Sequence, residues 1–299
     1  MWQFYCVWGL IGTTLAGCLY EPCFAIVTRA KGQDAKRGII FITLIAGFAS
    51  TISFPLVYSL AAAYGWRVTT SLSGIMIITI VAPLLFFAAR ELQSKSTVIV
   101  QADTNTPESR NDFLKTRTFW FLAVGFSFMA IVHGATIHHL LPLLDERGLP
   151  AQLAVVVASF VGPMQVAGRL VMMTCEQYVS LHAISLAAFV LMTSSAVVLL
   201  FSGTSMIFLF GFVLVFGGAY GTMSILRPLV ARHVLGEHQF GAKSGALALP
   251  YLFGSASAPY LASIIWARGG YSLVLIAIFI IGSAGCVLYL LAQRAARIN

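Results

Sequence analysis

The chain has 299 residues, of which 59% are hydrophobic and only 9% charged, with a mean hydropathy of +0.90. A water-soluble domain carries about 25% charged residues, so this composition excludes a water-facing surface of the ordinary kind. The net charge of +8 is scattered between apolar runs, which speaks for membrane-flanking loops and against a nucleic-acid patch.

A membrane-crossing helix needs about 20 mostly apolar residues. On that criterion the sequence predicts nine spans, at 4–28, 38–63, 69–89, 117–143, 151–174, 181–201, 205–231, 244–266 and 271–292. The expected fold is therefore all-α and polytopic. Within the first span, Leu15-Ala16-Gly17-Cys18 fits a bacterial lipoprotein cleavage box. No Lys or Arg precedes it, however, and a secretory signal needs a basic start. Between the third and fourth spans runs the only long hydrophilic stretch, Glu91 to Thr116. It divides the chain into a partial N-terminal bundle of three spans (1–90), a linker (91–116) and a C-terminal six-helix bundle (117–299).

Loop charges set the expected orientation. With the linker and the C-terminus in the cytoplasm, 14 of the 18 basic residues fall on that side. Arg67, Arg147 and Arg268 fall outside, and Arg227 lies within a span. This bias follows the positive-inside rule. The expected location is a plasma membrane (the inner membrane in a bacterium), multi-pass, with a cytoplasmic C-terminus.

Two stretches are versions of one another. Tyr20 to Arg37 aligns with Leu226 to Lys243, so that Pro22 falls on Pro228, Ala25 on Ala231, Gln33 on Gln239 and Arg37 on Lys243. Further on, Pro55 matches Pro259, Ser59 matches Ser263, Ala63 matches Ala267 and Gly65 matches Gly269. Internal repetition in a polytopic membrane protein is the mark of carriers built from two related halves. The same offset leaves the first half short, so about 90 residues carrying three further spans are expected ahead of Met1.

Several segments resemble the major facilitator superfamily, as helices four to twelve of its usual twelve. Gly162-Pro163-Met164-Gln165-Val166-Ala167-Gly168-Arg169-Leu170 resembles the end of helix eight and its Gly-Arg-Leu run. The family usually continues with an acidic residue and a cluster of basics, whereas this chain has Glu176 and then Gln177-Tyr178. Phe240 to Tyr271 resembles helix eleven and the turn into helix twelve. On generic Gly, Ala and Pro positions it is also similar to the branch that carries monocarboxylates and related organic anions. The resemblance implies a two-bundle fold with an incomplete first bundle, and a central cavity lined here by 4–28, 117–143 and 205–231. It also implies a gating loop after Arg169 that includes Glu176.

The polar residues, read on their own, fall on the same three spans. An ionisable group at the centre of a span costs about 2.5–3.5 kcal/mol on insertion scales and usually faces a bundle interior or a wet cavity. The clear cases are Glu21, His133 and Arg227. Glu21 and Arg227 occupy matched repeat positions, each directly before a proline that lets its helix bend. A static ion pair, a substrate- or proton-handling pair and snorkelling to the interface all remain open at this level. His138 and His139 lie nearer the outer end, and His133 and His138 are about 140° apart around a helix. Gly217 and Gly221, and Gly254, Ala258 and Ala262, recur at four-residue spacing, as close-packing helix faces do.

Other chemistry lacks its motifs. Gly236 to Ser244 approaches a phosphate loop, but Ala242 displaces the lysine by one position. The five cysteines have no zinc or disulfide-framework spacing, and there is neither an H-E-x-x-H nor a G-x-S-x-G sequence. The sequence thus points to a secondary transporter, not an enzyme, working without cofactor or metal. It would move a small organic anion by alternating access, with proton symport or exchange. The expected partners are a small-molecule substrate, protons and the lipid bilayer, with no nucleic acid, and the expected state is a monomer. The alternative is a non-transporting sensor or a channel of the same fold.

Overall fold

A computed structural model of the chain describes residues 2–18, 23, 27, 35–94, 112–236 and 240–298. Their regular structure is helical, with no strand among the described residues, as the hydropathy demands. A bilayer core offers no water to unpaired backbone groups, so only structures that satisfy them internally can cross it. By their contacts the residues fall into two units, Met1–Ala46 with Ser59–Asn105 and Gly47–Tyr58 with Thr106–Asn299.

The first unit contains α1 (Trp2–Cys18), most of α2 (Ala35–Gly47) and much of α3 (Ala49–Met76). Helix α3 continues through a π-helical turn, Ile77–Val81, into α4 (Ala82–Ser94). Its large apolar side chains face outward: Trp2 is 72% exposed, Phe41 65% and Ile78 72%. Such a surface is stable only against lipid or other helices. Helix α3 breaks at Gly65, whose φ of 78° belongs to the left-handed region that glycine enters without a Cβ penalty.

The second unit has a dense core. It comprises α5 (Arg117–Glu146), α6 (Ala151–Ser159), α7 (Val161–Cys175), α8 (Leu181–Phe201), α9 (Met206–Leu235) and α10 (Phe240–Ile298). Helix α10 is two arms joined at Gly269 and Gly270, the latter at φ 65°. Gly65 and Gly269, matched by the sequence repeat, are thus both points where a helix breaks. Helix α5 packs chiefly on α10, and α9 on α7 and α8. Phe119, Phe126, Phe189, Phe212, Phe216 and Tyr289 are all under 2% exposed.

Lipid tails are as apolar as leucine, so these helices associate through close packing instead of water exclusion. Glycine provides it. A Cβ on Gly217 would fall 2.7 Å from the Met164 Cβ, and one on Gly221 would run into the backbone of Gln165. A Cβ on Gly254 would fall 2.6 Å from Ser127, and one on Gly134 2.8 Å from the Ala258 Cβ. The small-residue stripes of the sequence are therefore the α7–α9 and α5–α10 seams.

Helix ends and kinks are sealed by side chains from elsewhere. The sequence predicts one span over 151–174, and α6 and α7 form one membrane-crossing stretch, Ala151–Cys175, with a single turn residue, Phe160, between them. Pro163 has no N–H for the carbonyl of Ser159 four residues back, and the Thr51 hydroxyl donates to that carbonyl at 3.2 Å. Arg147 donates to the carbonyls of Leu199 and Leu200 and, at 3.0 Å, to the Ser202 hydroxyl. It thereby covers the C-terminus of α8, where the carbonyls have no helical partner and the dipole is negative. Burial pushes the Arg147 guanidinium below its ordinary pKa, and the neighbouring Glu146 opposes that shift. Lys243 donates to the carbonyl of Leu235 at the end of α9.

Six stretches among the described residues are long and apolar enough to cross a membrane. Two of them, Phe41–Glu91 and Ala242–Ala296, contain the glycine breaks.

Candidate substrate site

Glu21 lies outside the described residues. The other candidate site residues, His133, Arg169, Glu176 and Arg227, all belong to the second unit. His133 is on α5 and Arg227 on α9, and both are partly buried. His133 meets α9 at Tyr220, two turns before Arg227, so the structure brings the two to one helix surface at different depths.

That surface is ordered by helical spacing. Phe212, Phe216, Tyr220, Ser224 and Arg227 follow one another at intervals of four or three, which keeps them on one side of α9. Phe212 and Phe216 stack at 5.3 Å between centroids, and the His133 ring lies flat on Tyr220 at 3.4 Å with planes 5° apart. Phe216 lies parallel to His133 at 5.8 Å. Beyond the aromatic rings comes Ser224, whose hydroxyl is buried with no hydrogen-bond partner among the described residues. Leaving such a group unpaired costs about 1–3 kcal/mol. Pro228, four residues on, opens this turn by withdrawing its N–H from the Ser224 carbonyl. Arg227 completes the surface, its guanidinium carbon 4.5 Å from the centre of the Tyr251 ring on the first arm of α10. A cation over an aromatic face gains about 2 kcal/mol when desolvated.

The three histidines of α5 divide cleanly. His139 uses both ring nitrogens, Nε2 with the Pro259 carbonyl at 3.0 Å and Nδ1 with the Tyr271 hydroxyl at 3.2 Å. A carbonyl only accepts, so Nε2 carries the hydrogen and Nδ1 accepts from Tyr271. Nearby, Trp266 donates to Glu146 at 2.7 Å. These contacts fasten the junction of the α10 arms to the end of α5. His138 is exposed. His133 alone is held by ring stacking, with no hydrogen bond to its nitrogens among the described residues.

Arg169 and Glu176 lie apart from this surface. Arg169 is 3% exposed, in the α7–α9 seam, where Nε donates to the Gly221 carbonyl at 2.8 Å. Gly47 packs here too, since a Cβ on it would fall 3.2 Å from Arg169 Nη1. Glu176 is exposed, capping the C-terminus of α7.

The sequence reading missed Tyr220, Ser224 and Tyr251 because it weighed only ionisable groups. The Tyr220–Ser224–Arg227 spacing was available as a signal. Tyr251 was not, since nothing local ties it to Arg227.

The described residues thus form a polytopic helical bundle with a cation and a stacked histidine inside its membrane-crossing part. Residues 1–249 match the Major Facilitator Superfamily. The chain belongs to that family and is a multi-pass membrane protein and a secondary transporter, in contact with lipid and a small substrate. The family's members are transporters, not enzymes. A search of curated proteins finds no match.

Proposed function

We propose that this transporter carries a small organic anion by alternating access, using proton symport or exchange against a second solute. The observation that best supports this reading is Arg227. Arginine stays charged in proteins, and this one sits partly buried in a membrane-crossing helix, on an aromatic face. A carboxylate would meet it through charge-assisted, two-pronged hydrogen bonds. The ring nitrogens of His133 would supply a second polar contact beside Tyr220.

Glu21, matched to Arg227 by the repeat, is assigned the coupling proton. Arg169 and Glu176 are assigned to the gate after α7, with Arg169 bracing the glycine seam that the gate moves against. The reading keeps the functional division into 1–90, 91–116 and 117–299. The protein is placed in the plasma membrane as a monomer, with its C-terminus in the cytoplasm and the resemblance to organic-anion carriers as its guide to substrate.

Uptake by membrane vesicles tests the reading. Saturable carboxylate uptake with counterflow supports a carrier. Flux without counterflow makes the protein a channel, and no flux in vesicles that bind the anion makes it a sensor. Glu21→Gln fixes the neutral form of that side chain. It is expected to keep exchange and to lose accumulation against a gradient; retained accumulation removes Glu21 from coupling.

A further inference from the structure

We propose that the anion is an aromatic carboxylate of the aryl-alkanoate type, with its ring beside Tyr220 and His133 and its carboxylate on Arg227 and Ser224. This inference rests on the anion reading above and narrows it.

The first support is the change in burial along the aromatic ladder. Phe212 and Phe216 are 0% exposed, sealed in the core, while Tyr220 and His133 are only partly buried. All these rings lie nearly parallel, within 18° between stacked pairs. A flat ligand ring extends such a stack, whereas an aliphatic chain has no face to offer it.

The second support is the polar end. The Ser224 hydroxyl lacks a partner among the described residues, so a ligand oxygen would satisfy it. Arg227 stands one turn further along the same side of α9. Lying over Tyr251, its planar fork has five N–H groups, enough to keep its neighbours and hold a carboxylate edge as well.

The third support is length. Tyr220 and Arg227 are about 10 Å apart along the helix axis. That distance suits a phenyl ring joined to a carboxylate by a short carbon chain, with the guanidinium in contact at the far end. A short aliphatic acid would fill the Arg227 end only, and a neutral aromatic the Tyr220 end only.

Titration calorimetry on the purified chain in nanodiscs, with 3-phenylpropanoate, propanoate and 3-phenylpropan-1-ol as probes, tests this. The acid with the ring is expected to bind about tenfold or more tighter than either half-ligand. Tyr220→Leu should bring it down to the level of propanoate, and Tyr220→Phe should preserve it. Ser224→Ala should weaken both acids by about fivefold and leave the alcohol alone. Equal binding of the two acids, with Tyr220→Leu without effect, would overturn the aromatic assignment and leave the anion reading standing. Binding of the alcohol as tight as that of its acid, with Arg227→Ala silent, would overturn both. Monodispersity of each variant by size exclusion separates a lost contact from a lost fold, and the ratio of the two acids on the unaltered chain carries the test if Tyr220→Leu does not fold, equal binding overturning the aromatic assignment.

Discussion

Helix α9 presents two adjoining faces, with Ser224 at their border. Along one, Gly217 and Gly221 let α7 approach until backbone meets backbone, and Arg169 closes the seam on the Gly221 carbonyl. Along the other, Tyr220 stacks on His133 and Arg227 lies over Tyr251, and the buried Ser224 hydroxyl has no partner among the described residues. The first face is closed by packing and has no room for a ligand. The second carries polar and charged side chains, which are costly inside a bilayer, and among them the Ser224 hydroxyl has no partner among the described residues. Under the proposed reading, stability and substrate binding share one helix.

The sharpest test of the packed face is a large side chain in the seam and one outside it. Gly221→Leu would drive atoms into the Gln165 backbone, which cannot yield as a flexible side chain does. Overpacking of this kind costs about 1–3 kcal/mol or more. The expected outcome is loss of a monodisperse peak in fluorescence-detected size exclusion. Gly211→Leu, on the same helix with nothing within 4 Å, should elute normally. Equal behaviour of the two would break the distinction.

The histidines of α5 extend the comparison. His139→Ala deletes two hydrogen bonds at the junction of the α10 arms, so thermal unfolding should show a loss of about 1–2 kcal/mol, with carboxylate affinity unchanged. His133→Ala should do the reverse, weakening affinity severalfold at little cost in melting temperature. A swap of these outcomes would move the site to the other end of α5.

Arg147→Ala uncovers the carbonyls at the end of α8 and should cost about 1 kcal/mol, partly restored in Arg147→Lys. A change in substrate affinity in either variant would contradict a purely structural role. The smallest expected effect belongs to Ser224→Ala. Removing an unpaired hydroxyl should leave stability level or raised by a few tenths of a kcal/mol. A marked loss of stability would show that Ser224 is a structural donor.

The sequence made the spans legible because lipid enforces long apolar runs. The breaks at Gly65 and at Gly269–Gly270 were marked by glycine in a repeat. The span over 151–174 holds as one stretch, Ala151–Cys175, across the turn residue Phe160 ahead of Pro163. Arg227 and His133 stood out through the cost of burying ionisable groups. Three things depend on partners far away in the chain and have no local trace. Thr51 seals the Pro163 kink from 108 residues off, Arg147 caps a helix 52 residues on, and Tyr251 supports Arg227. His139 looked much like His133 in sequence; only the positions of Pro259 and Tyr271 tell a fastened ring from a stacked one.

The central claim is that Arg227 binds the carboxylate of an organic anion. It is tested most directly by carboxylate counterflow in vesicles containing the wild-type protein, Arg227→Lys or Arg227→Ala at matched expression. Lysine keeps the charge and loses the planar fork. Apparent affinity is expected to fall about tenfold or more in Arg227→Lys and to be lost in Arg227→Ala, with normal elution of both variants. Unchanged affinity in both would contradict the account and make Arg227 a structural cation.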